Sequence, residues 1–559
     1  MCNACKYFLH DTPTWFSMER GTIPIIPRPA SLQEREGEFS IATTSVILVD
    51  EAFLHVGQNL ARLLSIAAGR EIPVEIDDGR TPAEGTITIK KDSSGVVKGI
   101  EGYTLEIAPD HVEILATAPA GAYSGTQSLR QLLPPWIEAP STFTPPEGMT
   151  IPCLRIDDAP RFPWRGFMLD VGRFFFGKEL IKKLLDAMAC LKMNVFHWHL
   201  TEDQGWRIEI KRYPNLTEIG AKRRDSQAGG FASTKHTGVP HDGFYTQDDA
   251  REIVAYAAER FIAVVPEIET PGHSQAMLAA YPDLSCTGGP FEVSTRVGIH
   301  PDVLCPGKDR VFEFLDGVLD EVLDIFPSKF IHIGGDETPR ARWKHCPDCQ
   351  ARIKAEGIPD VHALQTYFTN RVAAMLKVKE RALMGWNEVL GADLDPGAIV
   401  QFWKGGTKQM LPHAKKGRKF VMSEFLHVYI DHDYDLLPLH TVYNYDPIPK
   451  GLPAEYHENI LGIEVPLWTE WVRNERRLYW QLFPRLLAVA EVGWTPKRRT
   501  DFASFVGRVP SFLERLARMG MQSAPLDKAE RSSLLLPLGI LRLAVTEPHV
   551  PGDSTIRKK

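Results

Sequence analysis

The sequence predicts an α/β protein in which a (β/α)8 TIM barrel follows a small α+β domain. Over residues 160–500, short and uniformly apolar segments alternate with segments of helical periodicity. Before them the pattern is mixed, and a proline-rich stretch separates the two regions. Uniformly apolar strands are buried on both faces, which is typical of a parallel sheet covered by helices.

We interpret residues 1–20 as a tail and residues 21–150 as the α+β domain. Alternating or apolar runs predict its strands at TSVILVD, TITIK, YTLEIA and HVEILATA, and helical periodicity predicts helices at LHVGQNLARLLSIAAG and SGTQSLRQLL. PPWIEAPSTFTPPEGMTIP, at 134–152, carries six prolines in nineteen positions. Neither a helix nor a central strand tolerates that density, so we place a linker there.

The barrel is assigned to residues 155–497 because eight candidate strands with helical connections fit that span. The strands are GFMLD (166–170), NVFHWHL (194–200), IAVVPEI (262–268), KFIHIGG (329–335), ALMGW (382–386), AIVQFW (398–403), KFVMSEF (419–425) and ILGIEVPLW (460–468). ELIKKLLDAMACLKM and VFEFLDGVLDEVLDIF are two of the intervening amphipathic helices. A doubly wound open sheet is the competing fold, but no G-x-G-x-x-G sequence opens a helix. Residues 498–559 hold one predicted helix, FVGRVPSFLERLARMG, and a tail.

Charge and hydropathy argue against several kinds of partner. The formal net charge is −7 and no long run has one sign, whereas nucleic-acid binding needs a clustered basic face. No apolar stretch approaches the ~18 residues of a membrane span, so no membrane partner is expected. His10 and Asp11 lie where a signal peptide would carry its apolar core, which predicts a cytoplasmic protein.

The eight cysteines include two C-x-x-C pairs, Cys2 with Cys5 and Cys346 with Cys349. Two such pairs can share a zinc ion, but their separation here is far longer than in a zinc ribbon. Cys286 and Cys305 bracket a glycine-rich loop and could form a disulfide bond. In a chain without a signal peptide, free thiols are the preferred interpretation.

Polar and aromatic residues recur at the expected carboxyl ends of the strands, where barrel enzymes place their active sites. A single strand-end carboxylate is more often a helix cap or an ion-pair partner, and a single tryptophan is more often part of the core. Three tryptophans at one level of a barrel would instead wall a pocket with flat apolar faces, which bind the C–H face of a sugar ring. The collection favours a carbohydrate site, and its members are Asp170, Glu202, Asp203, Glu267, Glu269, His273, Asp336, Glu337, Trp386, Trp403, Tyr429, Asp431, Trp468 and Glu470, with Arg165 before the first strand.

Six motifs in order resemble glycoside hydrolase family 20, the β-N-acetylhexosaminidases. They are RGFMLDVGRFF, NVFHWHLTEDQGWR, PEIETPGHSQAML, HIGGDE, GWNE and LWTEWV. The resemblance covers residues 40–500 and implies that the first domain is the family's non-catalytic domain. It also implies an exo-acting enzyme for oligosaccharides or glycoconjugates that end in β-linked N-acetylhexosamine, with no cofactor and no metal.

The adjacent carboxylates Asp336 and Glu337 are consistent with the mechanism that the resemblance implies. Neighbouring side chains diverge, so this pair is poorly placed to flank a glycosidic bond at ~5–5.5 Å as in a double displacement. Family 20 uses the substrate's own 2-acetamido oxygen as the nucleophile. Glu337 would then be the acid and base, Asp336 would hold the acetamido N–H, and Asp203 and His273 would orient Glu337.

The remaining roles are also implied by the resemblance. Arg165 would grip the ring hydroxyls of the terminal sugar, and Tyr429 would hydrogen-bond the acetamido carbonyl. The three strand-end tryptophans would form the acetamido pocket and ring platform, and two carboxylates would bind the outer hydroxyls; these residues are Trp386, Trp403, Trp468, Asp431 and Glu470.

Two other classes of function stay open at this point. His197 and His199, with His273, Asp203 and His332, superficially resemble the metal site of an amidohydrolase. Against this, the first two lie inside an apolar strand rather than at its tip. A non-catalytic sugar-binding protein is the second alternative, although binding alone does not need the acid Glu337.

Overall fold

The structure is a computed structural model that describes residues 23–41, 44–79, 83–138, 149–391 and 393–530. The predicted N-terminal tail and residues 531–559 of the predicted C-terminal tail lie outside these ranges. Within the described residues, no helix combines the length and apolar character needed to cross a bilayer.

The N-terminal domain is a seven-stranded sheet with two helices packed on it. In spatial order the strands run β1-β7-β5-β6-β4-β2-β3. Their bounds are Ser31–Ile41 (β1), Ile47–Val49 (β2), Val74–Ile76 (β3), Thr86–Lys91 (β4), Tyr103–Ile107 (β5), His111–Ala116 (β6) and Met149–Asp158 (β7), and the helices are Leu54–Ala68 (α1) and Pro119–Leu132 (α2). The four strands and two helices that the sequence predicts are all present.

The predicted boundary of this domain at residue 150 is wrong. Strand β7 pairs antiparallel with both β1 and β5, so the domain continues to Asp158. The last residues of the predicted linker, Met149–Pro152, form the start of this strand, and Pro135–Glu138 forms a 3-10 helix. Within the predicted proline-rich linker, only residues 139–148 lie outside the described residues.

The second domain is a closed parallel barrel, as the sequence predicts, with strand order β14-β15-β16-β17-β18-β19-β8-β9. All eight predicted strands form it. The bounds are Trp164–Asp170 (β8), Val195–His199 (β9), Ala263–Glu267 (β14), Phe330–His332 (β15), Ala382–Trp386 (β16), Ile399–Phe402 (β17), Phe420–Met422 (β18) and Ile460–Leu467 (β19). Two short hairpins lie in the loops: Thr201–Glu202 (β10) with Gly205–Trp206 (β11), and Gln227–Ala228 (β12) with Lys235–His236 (β13).

Helices surround the barrel and continue into the C-terminal segment. They are Lys178–Cys190 (α3), Asn215–Glu218 (α4), Gln247–Ala258 (α5), Gln275–Ala280 (α6), Asp309–Ile325 (α7), Ala341–His345 (α8), Pro347–Ala355 (α9), Val361–Val378 (α10), Leu411–Ala414 (α11), Phe425–Val428 (α12), Leu439–Asn444 (α13), Glu475–Leu482 (α14), Arg485–Trp494 (α15), Phe502–Arg518 (α16) and Leu526–Ala529 (α17). The amphipathic segments predicted around α3, α7 and α16 are helical.

The barrel interior is layered because side chains alternate along each strand. Its amino-terminal end is filled by an apolar cluster that includes Trp164, Val195 and Ile399, the first residues of three strands. Two residues further along β9, His197 points into the same interior and meets Glu267 and Glu464. The carboxyl ends of the strands lie beyond this polar layer, and their loops carry the site.

Candidate active site

A cavity of about 230 Å³ lies at the carboxyl ends of the barrel strands. This volume is somewhat below the range of roughly 300–1,000 Å³ that is typical of small-molecule sites. Eight of the residues that the sequence predicts for the site line this one cavity. The full lining is Arg173, Phe231, His273, Gly298, Asp336, Glu337, Trp403, Phe425, Tyr429, Asp431, His432, Trp468, Glu470 and Trp471.

The turn after β15 places Asp336 and Glu337 at the cavity. Gly334 and Gly335 have φ values of 67° and 90°, which glycine adopts without steric cost. A Cβ atom on Gly334 would lie 1.7 Å from Glu269 Oε2, so only glycine allows this close approach. Glu337 itself has φ 43°, an uncommon left-handed conformation for a residue with a side chain. The turn therefore holds strain at the residue assigned to acid catalysis.

The Asp336 carboxyl is buried at the base of the cavity. Its Oδ1 atom is buried and has no hydrogen-bond partner among the described residues. Burial, with the nearby charges of Glu388 and Glu337, raises the pKa of Asp336 to about 7, although His273 opposes the shift. A buried acceptor without a hydrogen-bond partner destabilises the fold unless a bound ligand donates a hydrogen bond to it. Asp336 is therefore suited to accept a hydrogen bond from a bound substrate.

His273 connects this carboxylate pair to a second pair behind it. Its Nε2 atom lies 3.9 Å from Asp336 Oδ2 and 3.8 Å from Glu337 Oε2. Its Nδ1 atom lies 2.8 Å from Glu202 Oε1 and 3.1 Å from Asp203 Oδ2. Burial alone lowers the pKa of His273, but these carboxylates raise it well above its usual range. The imidazolium form is favoured between the two pairs.

Asp203 lies behind His273 and is not part of the cavity lining. It also accepts the backbone N–H of Gln275 at 2.9 Å, which fixes the first turn of α6. Glu202, which the sequence analysis gives no role, contacts His273 and also Arg173 Nη2 at 3.1 Å. The feature of the sequence that could have identified Glu202 as a site residue is its position next to Asp203 at the end of a strand.

Aromatic rings form one wall of the cavity. Trp403 and Tyr429 are stacked with centroids 5.8 Å apart, and the Tyr429 and Trp468 centroids are 6.4 Å apart. Burial and the charges of Asp336 and Asp431 raise the pKa of Tyr429 well above its usual range, so its hydroxyl remains a hydrogen-bond donor. The wall offers flat apolar faces and one O–H group.

Trp386 lies behind this wall and does not line the cavity itself. It is fully buried, and its ring centroid lies 5.7 Å from that of Trp468 and 6.5 Å from that of Trp403. Its Nε1–H donates to Glu267 Oε1 at 2.9 Å. Trp386 therefore supports the two tryptophans that face the cavity.

Asp431, Glu470 and Arg173 form a polar group in the cavity lining, next to Trp468. Arg173 Nη2 lies 3.8 Å from Glu470 Oε1, and its guanidinium lies 4.8 Å from the Trp468 ring centroid. The Asp431 Oδ1 atom is buried without a hydrogen-bond partner among the described residues. Burial and the Glu470 charge raise the pKa of Asp431 well above its usual range. These groups can form hydrogen bonds with several hydroxyl groups of one ligand.

The prediction that Arg165 binds substrate is wrong. Arg165 is the second residue of β8, at the amino end of the barrel, and its neighbour Trp164 points into the interior. Because side chains alternate, Arg165 points outward, where it donates to the Lys192 carbonyl at 2.8 Å and pairs with Glu101. The arginine of the cavity is Arg173, three residues beyond the carboxyl end of the same strand.

Three histidines of the metal-site alternative, His197, His199 and His332, do not line the cavity, whereas the fourth, His273, does. His197 Nδ1 is 2.7 Å from Glu464 Oε1, and His332 Nδ1 is 2.6 Å from Glu267 Oε1. Burial lowers the pKa of His197, but Glu464 and Glu267 raise it to about 9; His199 is raised in the same way to about 10. A protonated imidazole has no lone pair for a metal, so His197 and His199 are better understood as ion-pair partners of the buried carboxylates. Burial instead lowers the pKa of His332, although Glu267 opposes the shift.

A closed β/α barrel with a carboxylate pair, an aromatic wall and further carboxylates in one small cavity is typical of a glycosidase. Two family models match the chain: "Glycosyl hydrolase family 20, catalytic domain" over residues 162–497 and "Glycosyl hydrolase family 20, domain 2" over residues 22–159. The chain belongs to glycosyl hydrolase family 20 and has that family's two-domain organisation.

Individual relatives agree with this assignment. A beta-hexosaminidase of Porphyromonas gingivalis (strain ATCC BAA-308 / W83) is 41% identical over 89% of this chain, which spans 64% of that relative's length. The solved GH20 beta-N-acetylhexosaminidase of Streptomyces coelicolor A3(2) has a TM-score of 0.77 and 32% identity, covering 90% of this chain and 97% of its own. The GH20 exo beta-N-acetylglucosaminidase of Vibrio harveyi, solved with N-acetylglucosamine, has a TM-score of 0.77 and 28% identity, covering 90% and 78%.

Proposed function

We propose that this chain is an exo-acting β-N-acetylhexosaminidase with a retaining, substrate-assisted mechanism. Its substrates are oligosaccharides or glycoconjugates with a terminal β-linked N-acetylhexosamine. The relatives named beta-hexosaminidase support the substrate class. The small cavity supports the removal of a single terminal sugar, because it is a pocket of limited volume at the barrel mouth.

One observation carries the mechanism: Asp336 and Glu337 approach the cavity from the same side. Both carboxylates lie within 3.9 Å of the same His273 Nε2 atom. A protein nucleophile must attack the anomeric carbon from the face opposite the acid, so this pair cannot provide both functions. The 2-acetamido group of the substrate, which lies on the required face, provides the nucleophile instead.

The first step forms an oxazolinium intermediate. The acetamido carbonyl oxygen bonds to the anomeric carbon, the glycosidic C–O bond breaks, and Glu337 gives its proton to the departing oxygen. Positive charge develops on the acetamido nitrogen, and the Asp336 carboxylate stabilises it through the N–H. The Tyr429 hydroxyl, kept protonated by its surroundings, donates to the acetamido oxygen and fixes its direction.

The second step reverses the roles. Glu337, now ionised, removes a proton from a water molecule, and the water oxygen bonds to the anomeric carbon as the oxazolinium ring opens. Two inversions leave the anomeric configuration unchanged. Arg173, Asp431 and Glu470 hold the ring hydroxyls throughout, and the Trp468 ring packs on the sugar.

The test compares aryl β-glycosides of N-acetylglucosamine and glucose with the same leaving group. Without the acetamido group the substrate has lost its intramolecular nucleophile, so we expect kcat/KM to fall at least ~10³-fold. The product of the first substrate should keep the β configuration when followed by NMR. Comparable rates on the two glycosides would overturn the proposed mechanism.

A further inference from the structure

Four cysteine side chains from separate segments converge next to the loops that carry the site. Cys286 and Cys305 lie in the loop after β14, and Cys346 and Cys349 lie at the start of α9. The sulfur atoms of Cys286 and Cys349 are 3.8 Å apart, those of Cys305 and Cys346 are 3.7 Å apart, and those of Cys305 and Cys349 are 3.5 Å apart. All four sulfur atoms lie within 4.8 Å of one another, and each of the four is a free cysteine.

The sulfur–sulfur distances distinguish between the possible states of these cysteines. A disulfide bond holds its two sulfur atoms at about 2.05 Å. Four thiolates around a zinc ion have Zn–S bonds of about 2.3 Å, which places tetrahedral sulfur atoms about 3.75 Å apart. The three distances are close to this value and correspond to three of the six edges of that tetrahedron, and the other three pairs lie within 4.8 Å. Free thiols are weak donors and acceptors and would gain little from such a cluster.

The surrounding backbone holds the cysteines in this arrangement. A bridge between Ser285 and Leu304 brings Cys286 and Cys305 together. Cys346 is the N-cap residue of α9 and Cys349 lies in its first turn, so one helical turn aligns their side chains. The turn after Cys305 packs tightly on this helix start, since a Cβ on Gly307 would lie 2.2 Å from the carbonyl carbon of Asp348.

We infer that Cys286, Cys305, Cys346 and Cys349 bind one zinc ion. Four sulfur ligands in a tetrahedron are typical of structural zinc, and this site leaves no position open for a substrate. Cys305 and Cys349 are fully buried, Cys346 is 5% exposed and Cys286 is partly exposed, so three of the four ligands are shielded from water. This proposal departs from the expectation of no metal in this chain.

The zinc ion would join the loop after β14 to the segment after β15. These two segments carry His273 and the Asp336–Glu337 pair. The backbone N–H of Leu304 donates to the Pro271 carbonyl at 3.0 Å, and the indole N–H of Trp343 donates to the Leu304 carbonyl at 3.0 Å. The metal therefore braces the loops that position the catalytic groups, and its removal should affect stability before it affects chemistry.

The first measurement is the metal content and thiol state of the full chain, purified in a reducing buffer without added metal. We expect about one zinc ion per chain by elemental mass spectrometry, as for a site of this class. An organomercurial reagent should release that zinc to a chromogenic chelator as it titrates the four thiols. Replacement by cobalt should give the thiolate-to-cobalt charge-transfer band and the ligand-field bands of a tetrahedral site.

The second measurement uses Cys349→Ser with Cys190→Ala as the matched control. Cys190 is also buried, but it lies in α3 outside the cluster. We expect Cys349→Ser to lose zinc and to lower the melting temperature, while Cys190→Ala retains zinc at the wild-type ratio. If Cys349→Ser does not fold, the metal content and thiol state of the wild-type chain still test whether the four cysteines bind zinc.

Three results would overturn the proposal. One is a reduced chain without zinc that also fails to take up zinc when the ion is added. Another is an intact mass of the chain that is lower by two hydrogens per disulfide bond, which would show that the four cysteines form one or two disulfide bonds. The third is stoichiometric iron instead of zinc. None of these results bears on glycosidase activity, so the proposed function is tested separately.

Discussion

At the scale of single residues, Asp336 and Glu337 are adjacent in sequence but have different surroundings. The Asp336 side chain is 11% exposed and faces a histidine and several carboxylates. The Glu337 side chain is 29% exposed and lies 3.5 Å from Lys404 Nζ. Two carboxyl groups in unlike environments can take different roles in one reaction. The proposed mechanism needs this difference, because one group must stabilise charge while the other transfers a proton.

Replacing Asp336 by asparagine should lower kcat by ~10²–10³-fold, the scale of losing one charge-stabilising group. Asparagine keeps the shape of the side chain but cannot stabilise positive charge on the acetamido nitrogen. The measurement is kcat on an aryl N-acetylglucosaminide together with the melting temperature. A folded variant with near-normal kcat would reduce Asp336 to a helix-capping or structural role.

The pH dependence of stability provides a control for the same variant. Burial raises the pKa of Asp336 to about 7, above its unfolded value of 3.8, so ionisation is costly only in the folded state. Wild type should therefore lose stability relative to Asp336→Asn as the pH rises from 4 through 7. The melting temperature of Asp336→Asn minus that of wild type should be larger at pH 8 than at pH 4. A difference that does not change with pH would contradict the buried environment of this carboxyl.

At the scale of elements, strand β8 shows what the sequence could and could not predict. Predominantly apolar character located all eight barrel strands, because burial on both faces favours apolar residues in them. The motif RGFMLDVGRFF contains two arginines, Arg165 and Arg173, and the motif alone does not show which of them faces the site. The rule that barrel sites lie at the carboxyl ends of strands selects Arg173. Side-chain alternation from the inward-facing Trp164 excludes Arg165.

The two arginines of this element should therefore behave in opposite ways. Arg173→Ala should raise KM and lower kcat while the chain stays folded, because its guanidinium faces the cavity beside Glu470. Arg165→Ala should mainly lower the melting temperature, since it leaves Glu101 and two backbone carbonyls without their partner. Kinetics and thermal melting of both variants check the assignment. Normal kinetics in folded Arg173→Ala would contradict it.

The cysteine cluster shows a second limit of prediction from the sequence. Cys346 and Cys349 were recognisable as a metal-binding pair from their spacing, but their partners were not. Cys286 and Cys305 come from a different loop, which lies beside α9 only because β14 and β15 are neighbours in the closed barrel. Short spacing is a local signal, whereas this proximity depends on the complete fold. The boundary at residue 150 was missed for the same reason, since β7 joins its sheet through pairing with distant strands.

At the scale of the whole molecule, the two domains share a buried polar interface. Asp158, at the end of β7, lies 3.2 Å from Lys192 Nζ and accepts hydrogen bonds from Tyr103 at 2.9 Å and Trp494 at 2.8 Å. The Asp158 and Lys192 side chains are both fully buried. Of these three partners, Lys192 and Trp494 belong to the barrel domain and Tyr103 belongs to the N-terminal sheet. The contact therefore couples the folding of the two domains.

Breaking this contact should destabilise the whole chain rather than the site. Asp158→Ala would leave the Lys192 ammonium buried without its counter-ion, which typically costs about 3–5 kcal/mol in the free energy of unfolding. Urea unfolding should show that loss, while kcat of the folded variant should stay near wild type because Asp158 lies at the amino end of the barrel. Arg35→Ala is the matched control: it removes an ion pair with Glu106 in the same sheet, but the Arg35 side chain is 42% exposed. Such surface pairs contribute about 0–1 kcal/mol. Equal losses in the two variants would show that the buried contact does not couple the domains.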